Sequence, residues 1–84
     1  MNDIDGNEVV VGDVVRVLSI DSHYLDSLDE DARTRHLAMI GNTYCIDEIV
    51  EDGRKASVSI QWDCVEGVAF GGLYMLANEF RLVK

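Results

Sequence analysis

The chain has 84 residues, two cysteines, no proline, and sixteen acidic side chains against seven basic ones, which gives a formal net charge of −9. This length builds one small domain over residues 1–84, and a hydrophobic content of 48% is too high for a disordered chain. The acidic balance opposes direct binding to nucleic acid, whose phosphates carry the same sign of charge.

The N-terminus carries no recognisable targeting signal. Residues 1–8 contain no basic residue followed by an apolar stretch, so no secretory signal is predicted. The longest apolar run, residues 73–77, is far shorter than the ~20 residues that span a bilayer. Two cysteines are too few for a disulfide-stapled secreted scaffold. We therefore expect a cytoplasmic protein that binds no membrane.

Valine and isoleucine make up 17 of the 84 residues, which favours strands over most of the chain. Residues 1–8 are polar and acidic and are predicted to form a loose segment. Residues 9–18 predict the first strand, with a turn or bulge at residues 12–13. Alternation places Val15 and Val17 together on one face of this strand.

A different pattern, typical of a helix, occupies residues 21–40. The tetrapeptide that begins at Ser27 fits a capping box, in which the serine hydroxyl accepts a backbone N–H and Glu30 reaches back. Acidic side chains occupy the first turn and basic ones come later, as the helix dipole favours. Gly41 is a typical residue just past a helix end. Together these features predict one helix over residues 28–39.

The next segment, residues 44–50, predicts a strand whose apolar residues are out of strict alternation. A bulge near residues 47–48 would place Ile46 and Ile49 on one face. The following Asp-Gly pair, residues 52–53, is a strong signal for a two-residue hairpin turn. A strand that pairs with residues 44–50 is therefore expected after this turn.

The C-terminal third predicts three more strands. Residues 57–64 alternate cleanly between apolar and polar side chains. The glycines within residues 67–72 indicate corners of a barrel or a flexible loop. A short strand at residues 73–76, a tight turn at 77–79 and a closing strand at 80–83 follow. The side chains predicted to point inward from the first of these strands are Val58, Ile60, Trp62 and Cys64.

Five short strands with one long excursion after the first favour a closed barrel, because closure removes the exposed edges of a small sheet. Residues 11–17 resemble the opening of small bacterial SH3-like barrel proteins, and the likeness covers about residues 10–83. It continues through Leu25 and Leu28, Met39-Ile40-Gly41, Asp47-Glu48-Ile49, Trp62 and the tail at residues 76–83. The resemblance implies a mainly β fold, a small SH3-like five-stranded barrel with one short helix inserted after the first strand. It also implies a binding module, since many such barrels bind other molecules.

The spacing of the reactive side chains does not favour a metal or catalytic site. His23, His36, Cys45 and Cys64 lie 13, 9 and 19 residues apart in turn, without the close ligand pair of zinc sites. No spacing groups a nucleophile with a base, and no calcium-binding or phosphate-binding loop is present. We expect two free thiols in the core and two histidines on the surface. The sequence thus predicts no enzyme, no cofactor and no metal.

Aromatic residues are the candidate partner-binding residues. Phe70 lies among glycines that offer little to pack against, so it is the best candidate for an exposed anchor. Tyr24, Tyr44 and Tyr74 are further candidates, because the resemblance implies a groove that binds extended peptides through aromatic side chains. Simple packing is the alternative for each of them. Trp62 is expected in the core, since it lies on the inward face of its strand.

The net charge lies almost entirely in the first third of the chain. Residues 1–31 carry nine acids and one base, whereas residues 32–84 carry seven acids and six bases. This acidic third is either a solubilising surface or a face for a basic partner, with Asp29, Glu30 and Asp31 among its candidate contacts. The sequence therefore predicts a non-catalytic protein-interaction or regulatory module. The alternative is an acidic mimic of nucleic acid that docks on a basic nucleic-acid-binding protein; the oligomeric state is left open.

Overall fold

The structure is a computed structural model that describes residues 1–83, apart from four strand side chains, those of Trp62, Asp63, Cys64 and Ala69. Its strands are β1 (Val14–Val17), β2 (Thr43–Val50), β3 (Lys55–Cys64), β4 (Gly67–Met75) and β5 (Phe80–Leu82). Its helices are α1 (Ser22–Asp26), α2 (Glu30–Leu37) and a single 3-10 turn (Ala77–Glu79). None of the helices in residues 1–83 is both long and apolar enough to cross a bilayer.

The five strands form one antiparallel sheet in the order β4-β3-β2-β1-β5. The strand β1 lies between two neighbours, because Val15 pairs with Tyr44 of β2 on one side and with Leu82 of β5 on the other. The mainly β fold is therefore confirmed. No pairing joins β4 to β5 within the described residues, so the sheet is not closed as a barrel would be.

The core lies on one face of the sheet and is made by strand alternation. Val15 and Val17 are fully buried, whereas Arg16 between them is exposed, as the sequence predicts. The first strand is shorter than predicted, because Asp13 accepts the backbone N–H of Val10 in a turn that precedes it. The buried core consists of Val9, Val15, Val17, Met39, Ile46, Ala56, Val58, Leu73, Met75 and Phe80.

The strand β2 carries the predicted bulge. Ile46 pairs with Val58 of β3, but the next pair is Glu48 with Ser57, so Asp47 is an extra residue on β2. The bulge keeps Ile46 in the core although the alternation of the sequence breaks at this point. The hairpin that follows is also confirmed.

Its turn is centred on the predicted Asp-Gly pair. Val50 and Lys55 are the last paired residues, so the connection has four residues, 51–54, and the predicted two-residue turn is wrong in length. Gly53 adopts a φ of +85°, in the left-handed region that glycine tolerates without strain. Of the inward positions predicted on β3, Val58 is buried and Ile60 is half-buried; the side chains of Trp62 and Cys64 lie outside the described residues.

Two helices replace the single predicted one. The N-cap of α2 is Asp29, whose carboxylate accepts the backbone N–H of Ala32 at 2.7 Å. The prediction that Ser27 caps this helix is wrong, because its hydroxyl donates to the carbonyl of Tyr24 at the end of α1, at 2.6 Å. Only residues 30–37 of the predicted helix over 28–39 are helical.

Residues 1–8 were expected to be loose, but they are folded against the last strand. Asp3 is buried, and its carboxylate accepts the backbone N–H groups of Asp5 and Asn7 within the segment. The same carboxylate accepts the backbone N–H of Leu82 in β5 at 2.7 Å. Buried carboxylates of this kind need hydrogen-bond donors, and the segment and strand provide them.

The glycine-rich segment, residues 67–72, is part of a strand rather than a loop or a set of corners. It pairs with β3 without a break from Gly67 to Met75, so β4 is longer than predicted. The predicted tight turn at residues 77–79 is confirmed as the 3-10 turn. The carboxylate of Glu79 accepts the backbone N–H of Leu76 at 2.8 Å and closes this turn before β5.

Candidate binding groove

A shallow groove of about 600 Å³ lies on the outer face of the sheet, opposite the core. Along β4, Leu73 and Met75 are buried, so alternation turns Phe70 and Tyr74 outward. Phe70 is 74% exposed and Tyr74 is 58% exposed. The groove, called the aromatic groove below, is lined by Tyr24, Asp47, Glu48, Ser57, Ser59, Phe70, Gly71, Gly72 and Tyr74.

Small residues form the part of the groove between its walls. Ser59 of β3 pairs with Gly72 of β4, and Ser57 pairs with Tyr74. Neither serine nor glycine rises far from the sheet, so the rings of Phe70 and Tyr74 stand above their surroundings. Phe70 is thus exposed as predicted, although it lies in a strand rather than in a loop.

Two carboxylates from the bulge of β2 form the opposite side of the aromatic groove. In a regular strand, one of two successive side chains would point to the core. Because the bulge interrupts this alternation, both Asp47 and Glu48 are exposed. Neither carboxylate takes part in a hydrogen bond or ion pair with another described residue. The sequence predicts the bulge, but Asp47 and Glu48 were not among the predicted site residues.

The third aromatic side chain, Tyr24 of α1, is held in place by a histidine of α2. His36 Nδ1 lies 2.8 Å from the carbonyl of Ala32, and because a carbonyl only accepts, this nitrogen carries the proton. The other ring nitrogen, Nε2, lies 3.2 Å from the hydroxyl of Tyr24 and 3.4 Å from the carbonyl of Gly72. The two rings meet edge to face, with centroids 5.4 Å apart. His36 was predicted on the surface, but it is only 7% exposed, because α2 packs it between Tyr24 and Gly72 of β4.

A second, smaller hollow of about 190 Å³ continues the surface beyond the aromatic groove. Tyr24 and Tyr74 line both depressions, so together they form a ridge between them. Lys55 also lines this hollow, and its ammonium lies 3.5 Å from the carboxylate of Glu51. The remaining lining residues are Ile20, Asp21, Leu76 and Glu79.

The other candidate binding residues do not join this surface. Tyr44 is half-buried against the core and lines a separate hollow, which it shares with Met39 of the core. Asp29 caps α2, and Asp31 pairs with Arg35 one helical turn later. Glu30, the first residue of the helix, is exposed but does not line the aromatic groove.

Much of the acidic first third of the chain is occupied by internal contacts. Asp5 pairs with Arg81 of β5 at 2.7 Å, and Asp21 accepts a backbone N–H at the start of α1. The carboxylates of Asp3, Asp13 and Asp29 accept backbone N–H groups, and Asp31 pairs with an arginine. These acids therefore stabilise turns, helix ends and strand contacts as well as carrying charge.

One of the two cysteines, both predicted in the core, lies on the surface. Cys45 is exposed and free rather than buried in the core, because it occupies an outward position of β2. The predicted core position of Cys64 lies outside the described side chains. Among the residues that the structure describes, no group of three or more potential metal ligands comes together.

Comparisons of the chain with protein-family models, with curated proteins and with solved structures find no match. The function proposed for this chain therefore depends on the geometry and chemistry of the aromatic groove.

Proposed function

We propose that this chain is a non-catalytic protein-interaction module and that the aromatic groove is its binding surface. The observation that carries the proposal is the grouping of Tyr24, Phe70 and Tyr74 around one depression on the outer face of the sheet. Exposed aromatic clusters are typical of interfaces, because such side chains bury a large apolar area with little loss of conformational freedom. Each Å² of apolar surface removed from water contributes about 25 cal/mol.

The shape of the surface favours an extended segment of a partner. The ridge made by Tyr24 and Tyr74 separates two neighbouring hollows. A chain that lies across the ridge would place successive side chains in the two hollows, as extended peptides do in other recognition grooves. A compact ligand would occupy one hollow only.

An SH3-like arrangement of the strands, with the sheet open between β4 and β5, is part of the proposal. The strand order β4-β3-β2-β1-β5, the long excursion after β1 and the 3-10 turn before β5 support it. A cytoplasmic location also belongs to the proposal.

The alternative of an acidic nucleic-acid mimic receives less support from the contacts. A mimic would need carboxylates that are free to face a basic partner, but Asp3, Asp5 and Asp29 are engaged within the chain. We therefore propose binding through the aromatic groove rather than through the acidic first third.

A capture experiment tests the proposal. Wild-type protein, the variant Phe70→Ala/Tyr74→Ala and the control Val10→Ala/Val11→Ala would be immobilised and exposed to lysate of the source cells. Val10 and Val11 are exposed apolar residues that do not line the groove, so the control removes apolar surface elsewhere. We expect a protein that is retained by wild type and control and lost from the groove variant. Equal retention by all three would contradict the proposal.

A further inference from the structure

The structure of the groove points to the chemistry of its ligand: we infer that the aromatic groove binds a cationic side chain, best an arginine, presented by an extended segment of a partner protein. The inference rests on the proposed function and adds the charge and kind of side chain to it. It follows from the two unlike walls of the groove, which are aromatic on β4 and anionic on β2.

No residue that the structure describes supplies a cation to the anionic wall. Asp47 and Glu48 are exposed, and no described residue pairs with either carboxylate. Among residues 1–83, no arginine or lysine lines the aromatic groove. The lysine of the neighbouring hollow, Lys55, lies beside the carboxylate of Glu51. A ligand with positive charge would therefore complement the groove, and an anionic ligand would be repelled.

The spacing of the walls suits one flat cationic group. The strands β2 and β4 flank β3, so their outward side chains start about 10 Å apart, which is two strand spacings. The serines and glycines between them leave this space open. Glu48 pairs with Ser57 and Ser57 pairs with Tyr74, so a group in this space would reach the carboxylate of Glu48 on one side and the ring of Tyr74 on the other.

Arginine fits these two walls better than lysine does. Its guanidinium is planar and weakly hydrated, so it stacks on an aromatic ring while its N–H groups donate to a carboxylate. An ammonium group keeps its water more tightly and offers no flat face. We therefore expect a preference for arginine over lysine, with both preferred over a neutral side chain.

A peptide titration followed by nuclear magnetic resonance tests the inference. The probe is the end-blocked peptide Gly-Ser-Arg-Ser-Gly, and the comparison peptide has citrulline, which is uncharged and of nearly the same shape, in place of arginine. We expect saturable shifts of the backbone amides of Asp47, Glu48 and Tyr74 with the arginine peptide. Binding of the citrulline peptide should be weaker by about fivefold or more, from the lost cation–π and ion-pair contacts.

A charge-matched pair of variants locates the binding. Asp47→Asn/Glu48→Gln should lower the affinity for the arginine peptide to a value between those that wild type has for the arginine and citrulline peptides, because the variant loses the ion pair but keeps the cation–π contact. The control Asp26→Asn/Glu30→Gln removes the same two charges at exposed positions outside the groove, and should leave the affinity within about twofold of wild type.

Two results would overturn the inference: equal binding of the two peptides, or an affinity for the arginine peptide that Asp47→Asn/Glu48→Gln leaves unchanged. Absence of any shift with the arginine peptide would overturn it as well. In each case the proposed function would still stand if Phe70→Ala/Tyr74→Ala loses the protein that wild type captures. Equal capture of that protein by wild type and by Phe70→Ala/Tyr74→Ala would instead contradict the proposed function.

Discussion

The carboxylate of Asp3 ties the N-terminal segment to the last strand, so its removal should destabilise the whole domain. It accepts the backbone N–H of Leu82 at 2.7 Å and that of Asn7 at 2.8 Å. It also accepts the backbone N–H of Asp5 at 2.9 Å and the side-chain amide of Asn7 at 3.2 Å. The residue as a whole is only 4% exposed. We therefore take Asp3→Ala as the most informative change for the fold.

The expected loss of stability follows from these donors. A hydrogen bond to a charged acceptor contributes about 1.5–3 kcal/mol net. The donors within the segment, at Asp5 and Asn7, would regain water when the segment opens, so the contributions of all four bonds do not add. We expect Asp3→Ala to lower the free energy of unfolding by about 2–3 kcal/mol, which corresponds to a fall in Tm of about 10–20 °C for a domain of this size.

Urea unfolding followed by circular dichroism measures this change. The control is Asp26→Ala, because Asp26 is exposed and its carboxylate makes no hydrogen bond or ion pair with other described residues. It should change the free energy of unfolding by less than about 0.5 kcal/mol. A similarly small effect of Asp3→Ala would refute the conclusion that its contacts hold the segment to β5.

The same carboxylate predicts a pH dependence. Burial by itself would raise the pKa of Asp3, but the N–H donors, Leu82 first among them, outweigh it and hold the pKa below its ordinary value of 3.8. Since the folded-state pKa is the lower one, the stabilisation is full above pH 3.8 and is lost as the pH falls through the folded value. Asp3→Ala should therefore lose less stability than wild type between pH 5 and pH 2 (about the span of this titration). Parallel pH curves for the two proteins would contradict this.

Three further changes test the core and the helix ends by the same unfolding assay. Phe80→Ala should cost about 3–5 kcal/mol, because the ring is fully buried in the core; a cost under about 1 kcal/mol would contradict this packing. Asp29→Ala should lower the free energy of unfolding by about 1 kcal/mol, because it removes the cap of α2, and Ser27→Ala should lower it by less. A larger loss for Ser27→Ala would instead support the capping box predicted from the sequence. Gly41→Ala should lower the free energy of unfolding by about 1–2 kcal/mol, because the backbone there has a φ of +88°, although the space around it is open. An unchanged free energy of unfolding would contradict this explanation.

Local chemistry made part of the fold predictable. The alternation of Val15 and Val17 predicted the buried face of β1, and the break in alternation near Asp47 predicted the bulge. The turn at residues 52–53 was predictable because few residue pairs adopt left-handed backbone conformations as readily as Asp-Gly. These features depend on neighbours in sequence, which is why sequence reasoning located them.

Other features depend on contacts between distant residues. The glycines of residues 67–72 resemble a loop in sequence, but pairing with β3 keeps them in a strand. Ser27 matched a capping box, but its hydroxyl donates to the carbonyl of Tyr24 at the end of α1, a helix that the sequence did not predict. His36 is buried because α2 packs on β4, which no spacing in the sequence reveals.

The candidate site was predictable only in part. The exposure of Phe70 was predicted, but from a supposed loop, and the grouping with Tyr24 depends on the contact of that residue with His36. The carboxylates of Asp47 and Glu48 were assigned only to the bulge. A signal was available, because a bulge frees two successive side chains from alternation and so exposes both.

The central claim is that partners bind at the aromatic groove, and site-specific photo-crosslinking in the source cells tests it most directly. Benzoylphenylalanine would replace Phe70, which keeps an aromatic ring at the exposed position, or Val11, which is exposed but lies outside the groove. The account predicts that illumination gives a discrete protein adduct from position 70 and none from position 11. Adducts from position 11 together with none from position 70 would contradict it.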